Sequence, residues 1–133
     1  MTLGRPDWRA YPNAPAPGTT LCRLDDLTDG EARSFDLSPA DASPDDRFAV
    51  IVLRRGETAV AYVNDCPHAH TPLDWKPGEL LNRAGTHLRC ATHGALFRLD
   101  NGSCVSGPCR GDHLVPVPAQ VIGSLVCIAD STV

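Results

Sequence analysis

Aromatic residues make up only 5% of the 133-residue chain, and its longest unbroken apolar run is residues 48–53. A membrane helix needs roughly 18 or more apolar residues in succession, so no span is expected. The N-terminal segment MTLGRPDWRAYPNAPAPG lacks the basic-then-apolar organisation of a secretory signal, and the expected location is the cytoplasm. There is no excess of positive charge: 12 Lys and Arg stand against 16 Asp and Glu, a net charge of -4, which argues against the basic face that nucleic acid requires. No amphipathic helical period, no internal repeat and no glycine-rich nucleotide fingerprint is found. The length makes one domain and leaves no room for a second, catalytic one.

With so few aromatics, 12 prolines and 11 glycines favour short strands joined by many turns. Residues 1–20 are rich in Pro, Ala and Gly, carry no period and are expected as an extended or poorly ordered arm. TTLCRLDDL, residues 19–27, predicts a first strand and its turn, and residues 36–46 predict a loop. Three hairpins follow: residues 48–54 with 58–63 around Arg55, Gly56 and Glu57; residues 96–99 with 103–105 around Asp100, Asn101 and Gly102; and a last one turning at Gly123 and Ser124. A further short strand is expected at 87–89. Charge is uneven, with eight acids and the single base Arg33 between positions 25 and 46. The plain reading is a solvated loop, the sharper one a docking surface for a basic partner. These signals predict an all-β fold, a small antiparallel β-sandwich or barrel, with residues 21–133 as the domain and a functional insertion over about 64–109.

That insertion holds two short motifs, Cys66-Pro67-His68 and Cys90-Ala91-Thr92-His93, with 21 residues between His68 and Cys90. Cys and His paired in this way, each pair after a predicted strand, read as a metal site. Zinc is satisfied by two thiolates and two imidazoles. Yet common zinc knuckles separate their cysteines from their histidines, whereas each loop here is mixed. A binuclear iron-sulfur cluster with two cysteines on one iron and two histidines on the other needs each loop to reach both irons, and so to carry one ligand of each kind.

C-x-H followed by C-x2-H resembles the ligand signature of the Rieske [2Fe-2S] family. The resemblance extends over residues 48–118 and includes SGPC, residues 106–109, similar to the family's loop that covers the cluster. It implies one [2Fe-2S] cluster, with Cys66 and Cys90 on the buried iron and His68 and His93 on the outer one. The spacer is longer than is usual in the family, and the excess is expected in the turn-rich residues 74–86, where insertion costs little. The family reading also implies a one-electron carrier of ferredoxin type, serving between a reductase and an oxygenase or other redox enzyme. The alternatives are an accessory subunit of a larger reductase or oxygenase complex and a structural zinc module.

Several residues stand outside the signature. His70, two residues past His68, is read as a solvated polar residue, with a further ligand or a proton-transfer group as the alternatives, and His87 and His113 as structural or surface residues. Cys22 and Cys127 fall in predicted strands and read as small buried apolar groups; Cys104 and Cys109 flank the Gly107-Pro108 turn and read as free thiols, with a pairing of the two as the alternative. Respiratory members of the family brace the cluster with a disulfide, at positions that here are Thr71 and Thr92. They also donate hydrogen bonds to sulfur from a Ser and a Tyr, which here are Ala95 and Phe97 and cannot donate from their side chains. Donors stabilise the more negative reduced state, so their loss predicts a potential near the low end of the roughly -150 to +300 mV range of Rieske centres.

Overall fold

The computed structural model describes residues 8–43, 46–67, 72–74, 80–91, 94–107 and 110–129. Among them are ten β-strands and two short 3-10 turns, Trp8–Ala10 and Leu24–Asp26, with no α-helix. The strands are β1 (Thr20–Arg23), β2 (Ala32–Asp36), β3 (Ala49–Arg55), β4 (Thr58–Val63), β5 (His87–Arg89), β6 (Leu96–Arg98), β7 (Cys104–Ser106), β8 (Pro116–Val117), β9 (Ala119–Ile122) and β10 (Leu125–Ile128). They form three antiparallel sheets in the orders β1-β10-β9, β2-β3-β4-β8 and β5-β6-β7. The all-β expectation is met. No helix among the described residues is long and apolar enough to cross a membrane.

The four-stranded sheet is the central layer, and its alternation builds two cores. Val50 and Val52 of β3 and Ala61 and Val63 of β4 face a first core shared with Leu21, Cys22, Val126 and Ile128 of the β1-β10-β9 sheet. On the opposite face Ile51 and Tyr62 enter a second core with Leu88, Phe97 and Cys104 of the β5-β6-β7 sheet. Because β3 is covered on both faces, its sequence is a continuous apolar run rather than an alternating one. Each fully buried Val, Leu, Ile or Phe of this kind contributes roughly 1.5–3 kcal/mol.

The three expected hairpins form, with β3 meeting β4 from Val50↔Val63 to Arg55↔Thr58 and β9 meeting β10 from Ile122↔Leu125. Two strands were not anticipated. β2 lies within the acidic segment and pairs with β3 along its whole length, so the loop after it begins at Leu37. Its outer edge is charged, as edge strands tend to be: Arg33 pairs with Glu31 at 3.0 Å, and Asp36 with Arg47 at 3.2 Å. β8, two residues long and beginning with a proline, carries too little pattern to be seen and exists by pairing with Ala61 and Tyr62.

Residues 8–14 of the N-terminal arm lie on the core. Trp8 is buried and its ring meets Phe48 edge-on at 6.4 Å, while the Tyr11 ring meets the same Phe48 at 6.2 Å. The Tyr11 hydroxyl donates to Asp65 Oδ2 at 2.8 Å, and burial, then Asp65, pushes its ionisation upward. The arm is thereby attached to the residue that precedes Cys66.

Candidate metal-cluster site

The first motif leaves the end of β4, and the second leaves β5. Val63, the last residue of β4, is held by its N–H to Val115 O at 2.8 Å, and Asn64 N–H donates to Ala49 O at 2.9 Å, which fixes the take-off of the first loop. The second loop is a tight turn between β5 and β6: Cys90 N–H donates to Ala95 O, and Gly94 N–H to Cys90 O, both at 2.9 Å. Leu73, after the first motif, accepts from Ala91 N–H at 2.8 Å, so the two loops share a backbone bond next to Cys90.

Cys66 and Cys90 are each 1% exposed and belong to the same second core. Of the four predicted ligands these two are brought together; His68 and His93 lie outside the described residues. So do His70, Thr71, Thr92 and Cys109. The donor set fits an iron-sulfur cluster, since two thiols from separate loops are buried in one apolar core, where a bound metal would hold them as thiolates. No disulfide joins two of the described cysteines.

Leu73, Leu88, Ala95, Phe97 and Leu114, all buried, belong to the same core as the two thiols. Ala95 and Phe97 present only methyl and phenyl surface. After β7, Gly107 has φ +102°, and a Cβ there would stand 2.8 Å from Ala95 Cα. Only glycine combines that backbone angle with so close an approach. The turn at 99–102 is fastened to the central sheet by the Tyr62 hydroxyl, which donates to Leu99 O at 2.9 Å; burial, with Asp100 second, pushes this phenol up to about 12.

The remaining described Cys and His residues take structural places. Cys22 and Cys127 are buried in the first core, and burial pushes the Cys22 thiol up to about 11, the Asp26 charge adding to it. The Cys104 thiol donates to Ser106 O at 3.3 Å. His87 Nδ1 is 2.9 Å from Thr86 Oγ1, and His113 donates from Nδ1 to Leu114 O at 2.7 Å, while its buried Nε2 has no hydrogen-bond partner.

Sequence reasoning missed Asn64, the only polar or charged residue that is buried among the described residues. Its amide accepts from Leu73 N–H at 2.7 Å and donates to Ser34 Oγ at 2.9 Å and Asp74 Oδ1 at 2.8 Å. The signal was its position two residues before Cys66, at the junction of strand and loop.

Two loops that deliver buried thiols into a core between stacked antiparallel sheets define a small all-β metal-cluster protein. The family model for the Rieske [2Fe-2S] domain matches residues 19–122, and the chain belongs to that family. Its cofactor is one Rieske-type [2Fe-2S] cluster, which sets the zinc alternative aside. Comparison with curated proteins gives no match. Among solved structures the chain is similar to the ferredoxin of carbazole 1,9a-dioxygenase from Nocardioides aromaticivorans IC177, at 22% identity and TM-score 0.65 over 87% of this chain and 100% of that one. It is similar to the Sphingomonas yanoikuyae B1 ferredoxin at 22% identity and TM-score 0.61, covering 86% and 99%. It also matches the terminal oxygenase of carbazole 1,9a-dioxygenase from Nocardioides aromaticivorans IC177, at 18% identity and TM-score 0.64, covering 92% of this chain and 32% of the oxygenase.

Proposed function

We propose that the chain is a one-electron carrier of ferredoxin type, taking electrons from a reductase and passing them to an oxygenase or another redox enzyme in the cytoplasm. The observation that carries this reading is the burial of Cys66 and Cys90 in one core at the ends of two mixed-ligand loops. Cys66 and Cys90 would hold the inner iron, and His68 and His93 the outer one. The cluster, when bound, supplies reversible one-electron chemistry. Leu73, Phe97 and Leu114, buried in the same core, would keep water from Cys66 and Cys90, and Ala95 and Phe97 have no hydroxyl to donate there. Within the single domain, residues of about 64–109 form the cluster-holding unit. Support for an oxygenase as acceptor comes from a similar structure at 23% identity and TM-score 0.60, described as a complex of reduced oxygenase and oxidized ferredoxin in carbazole 1,9a-dioxygenase.

The test is reduction of the purified protein by a flavin-containing reductase and reoxidation by an oxygenase, followed by visible absorbance and electron paramagnetic resonance. The expected product is a reduced mixed-ligand signal, formed and discharged in single-electron steps, with a midpoint in the lower half of the Rieske range. A midpoint above about +150 mV, well inside the upper part of that range, overturns the low-potential assignment. A second reading, an accessory subunit of a larger redox complex, has its own support, because the same fold forms about a third of the oxygenase chains it resembles. A large chain that co-purifies at fixed stoichiometry favours that reading over a free carrier.

A further inference from the structure

We infer that Asn64 is a positioning residue for the cluster, holding the two ligand loops at fixed separation through a relay of hydrogen bonds. The inference rests on the ligand reading just proposed. Asn64 sits two residues before Cys66 and spans the first loop with its side chain, since its Oδ1 accepts from Leu73 N–H at 2.7 Å. Leu73 in turn accepts at its carbonyl from Ala91 N–H at 2.8 Å, one residue beyond Cys90. A single side chain thus ties the residues flanking Cys66 to those flanking Cys90 by way of one peptide unit.

The other end of the relay is anchored in the central sheet. Both amide hydrogens of Asn64 are used, one on Ser34 Oγ at 2.9 Å and one on Asp74 Oδ1 at 2.8 Å, while its backbone N–H holds Ala49 O at 2.9 Å. Ser34, Ile51 and Tyr62 occupy one register line across β2, β3 and β4, so the amide is attached to the central sheet. An amide is required by the geometry: it must accept on one side and donate twice on the other, which no apolar or hydroxyl side chain can do. A buried Asn left without such partners would be a net cost, so its presence beside the loops points to a positional task.

The experiment compares holoprotein variants for the rate at which a chelator bleaches the visible absorbance and for the g-value spread of the reduced protein, together with the thermal midpoint. Asn64→Leu keeps the volume and removes the bonds; it is expected to bleach about tenfold faster or more, as outer-shell losses at metal sites do, and to shift the g values. Val126→Ala, which destabilises the first core, is expected to lower the thermal midpoint while keeping wild-type bleaching and g values well below that midpoint. Asn64→Asp alone sets two carboxylates side by side and is expected to bleach fast. The double variant Asn64→Asp with Asp74→Asn reverses donor and acceptor in that pair, keeps the acceptor for Leu73, and is expected to restore the wild-type rate. The contrast between these last two decides the matter should Asn64→Leu fail to fold. The inference is overturned if Asn64→Leu matches Val126→Ala in bleaching and g values, or if the double variant bleaches like Asn64→Asp. A wild-type protein without a mixed-ligand signal overturns the ligand reading itself, and this inference with it.

Discussion

The two cores of the molecule are built in different ways. The first is enclosed by the β1-β10-β9 sheet and one face of the central sheet, and draws on strands of four to seven residues plus the docked ring of Trp8. The second is enclosed by the other face of the same sheet, by three strands of three residues each, and by loops; it contains Cys66 and Cys90, the proposed ligands, and borders the buried amide of Asn64. Apolar area and ladder bonds suffice for the first. The second has less regular structure to hold its loops and depends more on specific polar bonds and on the metal, whose binding free energy becomes folding free energy where the site is not preformed.

The largest expected effect breaks that comparison at the ligands. Replacing Cys90 by Ser, or His68 or His93 by Ala, should abolish the mixed-ligand resonance entirely, while His70→Ala leaves it intact. In the cluster-free protein, hydrogen exchange should lose protection over residues 64–107 and keep it at Val50, Val52 and Val126. Uniform loss of protection would show that the two cores fold as one unit.

Core truncations come next. Phe48→Ala should lower global stability by about 3–5 kcal/mol and leave the spectrum of the reduced cluster unchanged, whereas Leu73→Ala should cost about 2–5 kcal/mol and alter the spectrum as well. Denaturant unfolding with parallel resonance spectra separates the two outcomes.

Glycine positions sharpen the contrast at a smaller scale. Gly107→Ala combines φ +102° with a Cβ only 2.8 Å from Ala95 Cα and should cost about 1–3 kcal/mol, with faster cluster loss. Gly123→Ala, at φ +61° in the β9–β10 turn with nothing within 4 Å, should cost about 1 kcal/mol and spare the cluster.

The smallest effect is alkaline. Burial holds the Cys22 thiol protonated in the first core, raising its pKa from an ordinary 9.0 to about 11, and holds the Tyr62 phenol protonated in the second, from 10.0 to about 12. For both groups the folded state binds more protons than the unfolded one between those values. Their stabilisation is complete below the lower value and is lost as pH rises towards the higher. The first core's contribution should therefore begin to decline about one pH unit before the second's. Cys22→Ala should remove the slope beginning near pH 9, and Tyr62→Phe the one beginning near pH 10. Unfolding free energies measured across that range give the check.

The hairpins were legible because their signals are local: β-branched runs on either side of Arg55-Gly56-Glu57 or Gly123-Ser124 leave few alternatives. The family signature was legible for a related reason, since ligand chemistry imposes residue type and spacing on short loops. β2 was not, because its four neighbouring acids look like a solvated loop, and only pairing with β3 makes Ala32–Asp36 a strand. The seating of the N-terminal arm was hidden in the same way, for Trp8 and Tyr11 sit among prolines with no period, and their partners Phe48 and Asp65 are distant in sequence.

By itself the sequence determined the class of fold, the family and the two Cys-His motifs, because alternation, turn chemistry and ligand identity are written in adjacent residues. Only the tertiary structure decided that Cys66 and Cys90 share one core, that Gly107 must be glycine because Ala95 backs onto it, and that Asn64 joins the loops. Each of these depends on groups brought together from separate strands. An asparagine before a cysteine has no meaning until the chain returns to place Leu73, Asp74 and Ser34 around its amide.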